Sequence, residues 1–352
     1  MLKNQLKSKI NYRVILLFLS LIGIMVCLTV IIEAKSVILE SEENFTIVVL
    51  PDTQYYSENY PWIFDNQTLW IVENRDLLNI VFVTHEGDLV EHWNNIVEWE
   101  NANDSMSRLD TKVPWGVLPG NHDGFYGNLS NYNQYFGYDR FNDKIWYGGA
   151  YQNNNTNSYQ LFSAGGDDYL IFHIQYNPSD DILSWANNVI DLYPNNKVIV
   201  TTHDYLHGYL AVQRSETGDK MWRKLIEPHA NQIFLVLSGH HFWENEARIT
   251  SSVDGNFVHQ LLSDYQDRSN GGNGWLRIIE FSPKIDEISI KTYSPYLNKF
   301  ETDSNSQFML DNKVTEYDFL IPIFNFLPIV ILIVVSTIVA SYFILKRSPK
   351  NQ

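Results

Sequence analysis

Ile80-Val81-Phe82-Val83-Thr84-His85-Glu86-Gly87-Asp88 holds the pattern that organises the rest of the chain. Four β-branched or aromatic residues in unbroken succession fit a strand buried on both faces, which needs no polar alternation. The run then gives way to polar residues and a Gly-Asp turn. The same rhythm recurs elsewhere. Residues 45–50 lead into Pro51-Asp52-Thr53-Gln54, residues 197–202 into His203, and residues 233–237 into Ser238-Gly239-His240-His241. Helical candidates lie between these runs, at 68–78 and 184–192. The combination predicts a layered α/β core whose polar residues collect where several strands end, the usual place for a site in such folds.

Further out the pattern changes. Residues 147–166, rich in Asn, Gly, Tyr and Ser, read as a long loop. Beyond Arg248 apolar and polar residues alternate, as in Trp275-Leu276-Arg277-Ile278-Ile279-Glu280-Phe281 and again over 287–293, which suggests antiparallel strands. Residues 302–313 are polar and read as a stalk or an outer strand. No linker divides this region, and no internal repeat, heptad run or long charge block interrupts it.

Two apolar segments bracket the chain. Residues 14–32 carry no charge, follow Lys3, Lys7, Lys9 and Arg13, and are succeeded by Glu33, Glu40, Glu42 and Glu43. They read as a signal peptide or signal anchor. Residues 319–345 are uncharged, long enough to span a bilayer, and followed by Lys346, Arg347 and Lys350. By the positive-inside rule both tips face the cytoplasm and the middle of the chain faces outward. The expected organisation is therefore a leader over 1–35, a domain over 36–301, a juxtamembrane segment over 302–318, a transmembrane helix over 319–345 and a cytoplasmic tail over 346–352. The expected location is the cell membrane, with the domain extracellular. Sequons at Asn44, Asn66, Asn103, Asn128 and Asn154 suit an exported glycoprotein.

Composition narrows the chemistry. A hydrophobic fraction of 45% and an aromatic fraction of 14% mark a folded chain. The net charge of −16 argues against general affinity for nucleic acid, so no nucleic-acid-binding surface is expected. An anionic substrate would need a local positive charge, and bound metal ions are an obvious source. The single cysteine, Cys27, lies in the first apolar segment, which leaves no disulfide framework and no thiolate metal site. Oxygen and nitrogen donors remain. Asp52 and Gln54, two apart on a strand-end turn, can address one ion. Asp88 can bridge two, because a carboxylate has two oxygens with spare lone pairs. Asn121 offers an amide oxygen, and His203 and His240 offer imidazoles. Such a set suits Zn, Mn or Fe. Gly87, Gly120 and Gly239 each precede a proposed ligand, where close backbone approach is easiest. No Gly-x-Ser-x-Gly elbow points instead to a serine hydrolase.

Asp52-x-Gln54, Gly87-Asp88, Gly120-Asn121-His122-Asp123, His203 and Gly239-His240 together resemble the ordered motifs of calcineurin-like metallophosphoesterases. Asp264-Tyr265-Gln266 and Thr292-Tyr293-Ser294-Pro295 resemble the later part of a secreted, membrane-anchored branch. The resemblance implies a four-layer αββα sandwich with two mixed β-sheets, here flanked by N- and C-terminal apolar helices. It implies one or two divalent metal ions, Mn, Fe or Zn, with Asp52 and Gln54 on one, Asn121, His203 and His240 on the other, and Asp88 between. His122 would assist departure of the leaving group, with Glu91 orienting it and Asp123 beside it as a further catalytic candidate. His92 falls where some relatives bind the phosphate. Two departures stand out: Gln54 replaces a common His, and Phe242 stands where many relatives have a second ligating His, a gap that His241 or water would fill. The implied reaction is hydrolysis of phosphate mono- or diesters by a metal-activated hydroxide. A surface binding or adhesion protein that keeps the fold without turnover is the alternative.

Overall fold

The computed structural model describes residues 43–208, 211–243 and 245–311. The strands, in chain order, are β1 (Phe45–Leu50), β2 (Ile80–His85), β3 (Trp115–Gly116), β4 (Tyr147–Ala150), β5 (Asn157–Ala164) and β6 (Asp167–Ile174). Then come β7 (Lys197–Thr202), β8 (Leu206–His207), β9 (Gln213–Arg214), β10 (Ile233–Ser238) and β11 (Glu246–Val253). The last are β12 (Asn256–Ser263), β13 (Leu276–Ser282), β14 (Glu287–Ser294), β15 (Lys299–Glu301) and β16 (Gln307–Asp311). Two mixed sheets contain all but the small β8–β9 pair. One runs β15-β14-β13-β1-β2-β3, with β16 also on β14; the other runs β11-β12-β10-β7-β6-β5-β4.

Alternation along each strand builds the layers. On β1, Val48 and Leu50 pack with Ile63, Phe64 and Ile71 of the helix Pro61–Asn74 and with Trp99, Ala102 and Met106 of the helix Ile96–Ser107. Ile47 and Val49 point the other way, onto Tyr169, Ile171, Ile199 and Leu237 of the second sheet. The far face of that sheet, with Leu170, Phe172, Val198 and Val200, is covered by Ile182, Ala186 and Ile190 of the helix Asp180–Leu192. Helix, sheet, sheet, helix is the order the resemblance implies. The apolar segments 14–32 and 319–345 lie outside the described residues. Among the described residues, no helix is long and apolar enough to cross a membrane.

Local readings hold or fail for identifiable reasons. The helix expected at 68–78 starts at Pro61 and ends at Asn74. Pro61 occupies its first turn, where a missing N–H costs nothing. The helix expected at 184–192 begins at Asp180, because the Ser179 hydroxyl accepts from the Ile182 N–H at 3.4 Å and two aspartates occupy the first turn. The supposed loop at 147–166 is instead the antiparallel pair β4–β5, with β5 also paired along its length to β6. Its Asn- and Gly-rich composition concealed Tyr159, Leu161 and Phe162, which pack against the apolar layers on alternate faces. Residues 307–311 form an outer strand on β14, so the sheet continues past 301. Among the sequons, Asn44, Asn128 and Asn154 are exposed, whereas Asn66 and Asn103 lie within helices.

A polar seam crosses between the sheets below the strand ends. Thr84 of β2 bonds His173 of β6 at 2.9 Å and Thr201 of β7 at 2.9 Å. Burial, reinforced by nearby His85, pushes the His173 imidazole down to about 3 from its ordinary 6.5. The unfolded chain takes up that proton near pH 6.5 while the folded chain resists until near pH 3, so stability falls as pH drops between them. Compared with His173→Gln, the wild type should therefore lose up to about 1.4 kcal/mol of its advantage per pH unit below 6.5. Urea midpoints of both proteins at pH 7 and pH 5 measure this. An unchanged difference between them would mean that His173 is not held neutral.

Candidate metal centre

Six strand ends meet at one edge of the sandwich. From the first sheet, β1 delivers Asp52 and Gln54, β2 delivers Asp88, and the loop beyond β3 delivers Asn121 and His122. From the second, β7, β10 and β12 lie parallel and deliver His203, His240 and Asp264. The donor atoms of Asp88, His203 and His240 all lie within 4.8 Å of one another. His203 Nε2 is 3.2 Å from Asp88 Oδ2 and 2.9 Å from Asn121 Oδ1. Asp52 stands beside this group, its Oδ2 accepting the His240 backbone N–H at 3.1 Å.

Two glycines make the approach possible. A Cβ on Gly120 would come within 2.0 Å of Asp88 Oδ1, and one on Gly239 within 2.1 Å of Asp52 Oδ1. Each glycine admits a carboxylate from another loop. Asp88 (φ 51°) and His240 (φ 70°) themselves adopt the left-handed backbone. That conformation costs a side-chain-bearing residue about 1–2 kcal/mol and is common where function holds the chain in place.

Charge is concentrated here. Burial disfavours ionisation of Asp88, but the His203 imidazole outweighs it and holds the carboxylate below its usual range. Burial likewise opposes a charge on His203, and Asp88 and Asp52 overcome it, raising its pKa well above the ordinary value. His240 goes the other way: burial and then the charges of His203 and His241 push it down to about 3. His203 Nε2 and Asp88 Oδ2 thus face each other at a position suited to a cation. Gln54 supports the same reading. Its Nε2 donates to Glu91 Oε2 at 2.7 Å, while its buried Oε1 has no partner. Oxygen donors, imidazoles and an orphaned amide oxygen fit a divalent metal ion.

The other expected residues divide. His122 Nδ1 lies 3.0 Å from the Glu91 carbonyl oxygen and 3.2 Å from Glu91 Oε2, and its backbone N–H donates to Asp88 Oδ1 at 2.9 Å. His122 and Glu91 are therefore paired at the centre. Asp123 is buried, with Oδ1 accepting from the N–H groups of Leu89 and Val90 and Oδ2 from that of Gly120. Both its oxygens accept from backbone N–H groups, which ties the Asp88 loop to the Asn121 loop. His241 Nε2 pairs with Asp204 Oδ1 at 3.1 Å, yet the donor atoms of both lie within 4.8 Å of a His240 nitrogen. His92 is exposed and bonded to Glu98 at 2.9 Å, a bond that raises its pKa. Sequence reasoning passed over Asp204, and also Tyr176, whose ring lies 5.4 Å from that of His240. Asp204 could have been suspected from its place beside His203; Tyr176 carries no sequence signal.

Ligand-type oxygens and imidazoles gathered from the strand ends of two packed mixed sheets define a candidate metal centre in a layered α/β fold. The sequence profile described as "Calcineurin-like phosphoesterase" matches residues 45–243. The chain belongs to the calcineurin-like phosphoesterase family. It is 39% identical over 277 residues to an uncharacterised protein of Bacillus subtilis (strain 168), YvnB, a match covering 75% of this chain. The chain spans 21% of the length of that relative. Among solved structures it is similar to the purple acid phosphatase PPD1 from yellow lupin (Lupinus luteus) seeds. That likeness has a TM-score of 0.51 and 13% identity, and it covers 77% of this chain and 54% of the other.

Proposed function

We propose that this chain is a cell-surface phosphoesterase that hydrolyses phosphate mono- or diesters. The observation that carries the reading is the meeting of Asp88, Asn121, His203 and His240 from two sheets, with His122 beside them. Asp52, Gln54, Asp88, Asn121, His203 and His240 are the residues that would hold the divalent ions. Bound ions of this kind draw charge from phosphoryl oxygens and lower the pKa of water toward about 7. The protein's own groups do the rest. Asp88 and the Glu91 pair orient His122. Burial opposes protonation of that imidazole, but Asp88 and the Glu91 carbonyl outweigh it and raise its pKa. With Nδ1 committed to Glu91, His122 donates from Nε2 to the leaving oxygen. A cleft of about 250 Å3, lined by Asn121, Tyr126, Leu129, Gln175 and Tyr176, opens beside the centre and receives the ester's substituent.

Membrane attachment through residues 319–345 and exposure of the domain outside the cell are supported by the basic residues on the chain-terminal side of each apolar segment, which favour the cytoplasm. Exposed Asn44, Asn128 and Asn154 are the acceptors in a glycosylating host. The purified full chain should contain transition metal by elemental analysis and turn over members of a mono- and diester panel with Mn, Zn or Fe. A folded chain with neither metal nor turnover would overturn the enzymatic reading in favour of a surface binding protein. Cleavage of the domain by protease added to intact cells tests its location; full protection would place it inside.

A further inference from the structure

Asp52, Gln54 and Asp88 provide few donors for one divalent ion, since hard cations commonly gather about six oxygens. A further carboxylate is close by. Asp264 follows β12, which lies parallel to β10 with Leu262 opposite Ser238, so Asp264 and His240 leave their strands side by side. Its backbone N–H donates to the Asn245 carbonyl at 2.8 Å, fixing it to the loop that follows His240. Next to it, Ser263 Oγ donates to Glu86 Oε2 at 2.9 Å, fastening the end of β12 to the end of β2. Asp264 Oδ1 accepts the Gln266 N–H at 3.0 Å; Oδ2 is buried and has no partner. Asp264 is also the strongest charge acting on Asp52.

The unpartnered atoms form a pattern. Of the eight buried side-chain polar atoms without a partner among the described residues, five belong to strand ends around the centre: those of Gln54, Glu86, Thr202, Asp264 and Gln266. All five are oxygens. Buried acceptors rarely go unpaired, and a cluster of them marks a place where a bound ion or water supplies the missing partner. The carboxylates of Asp52, Asp88 and Asp264 do not all lie within 4.8 Å of one another, as the Asp88, His203 and His240 donors do. A cation between them would offset their mutual repulsion.

We propose that Asp264 is a ligand of the first ion and completes, with Asp52, Gln54 and Asp88, an oxygen-only position selective for a hard cation such as Mn over Zn. The inference rests on the metal-centre reading above and adds a division of labour: an all-oxygen position on one side of Asp88 and an imidazole-rich one on the other.

Asp264→Asn keeps an oxygen for the Gln266 N–H and removes the charge. After chelation, the full chain is reloaded with Mn alone or Zn alone, and ions are counted by elemental analysis and titration calorimetry. Wild type should take two Mn but hold only one Zn tightly. Asp264→Asn should keep one ion and bind the second Mn more than about 100-fold more weakly, beyond the 10- to 100-fold that an outer, non-ligating neighbour contributes. Gln54→Ala should weaken the same ion, and His240→Ala the other. Two Mn bound by Asp264→Asn with wild-type affinity would overturn the Asp264 assignment and leave the centre standing. A wild type that binds no ion would overturn both. Should Asp264→Asn fail to fold by circular dichroism, the wild type's own preference decides: equal uptake of Mn and Zn at both positions would refute an oxygen-only site.

Discussion

Asp88→Asn should lower phosphate-ester turnover by about 1000-fold or more, and the purified variant should hold no more than one ion. The magnitude corresponds to the several kcal/mol of charge stabilisation that a metal ion contributes to such a reaction. The cause is the double use of one side chain. Asp88 Oδ1 accepts the His122 backbone N–H and Oδ2 faces His203 Nε2. An amide keeps one acceptor, turns the other into a donor aimed at a donor, and removes the charge that both ions would share. Circular dichroism checks that the fold persists, elemental analysis counts the ions, and turnover is read on one monoester and one diester. Wild-type turnover by this variant would mean that chemistry occurs elsewhere on the chain.

His122→Ala should behave differently. We expect a loss of about 100-fold or more on alkyl phosphate esters with metal content intact, because general acid assistance is worth roughly 100- to 10,000-fold. On an ester with a good leaving group, such as nitrophenolate, the loss should be much smaller, since that oxygen departs without a proton. The pH profile adds a second readout. The imidazolium is the acid and its pKa is raised. Wild-type activity on alkyl esters should therefore decline on the alkaline side as the proton is lost, and His122→Ala should flatten that limb. Equal losses on both ester types, or loss of metal, would reassign His122 to a supporting role.

Much of this architecture is legible locally. The apolar runs at 45–50, 80–83, 197–202 and 233–237 are strands because they are buried on both faces, and burial on both faces leaves a continuous signature. β5 was hidden because Ser158 and Gln160, which serve a polar seam, interrupt the apolar pattern of Tyr159, Leu161 and Phe162. The tie that Asp123 makes between two loops is invisible in its motif, because only coordinates show both its oxygens facing backbone amides. Asp264 carries the same strand-end signature as Asp52, yet nothing in one dimension says that β12 runs beside β10 or that its terminal carboxylate goes unpaired.

The linear order of residues determined which side chains are available, oxygen and imidazole without thiolate, and that each stands at the end of a buried strand. Only the packing of the sandwich decided that the ends of β1, β2 and β3 face those of β7, β10 and β12. The reason is that strand periodicity fixes which way each side chain points, whereas the apolar layer between the sheets, Ile47 and Val49 against Ile171, Ile199 and Leu237, fixes where the sheets lie relative to each other.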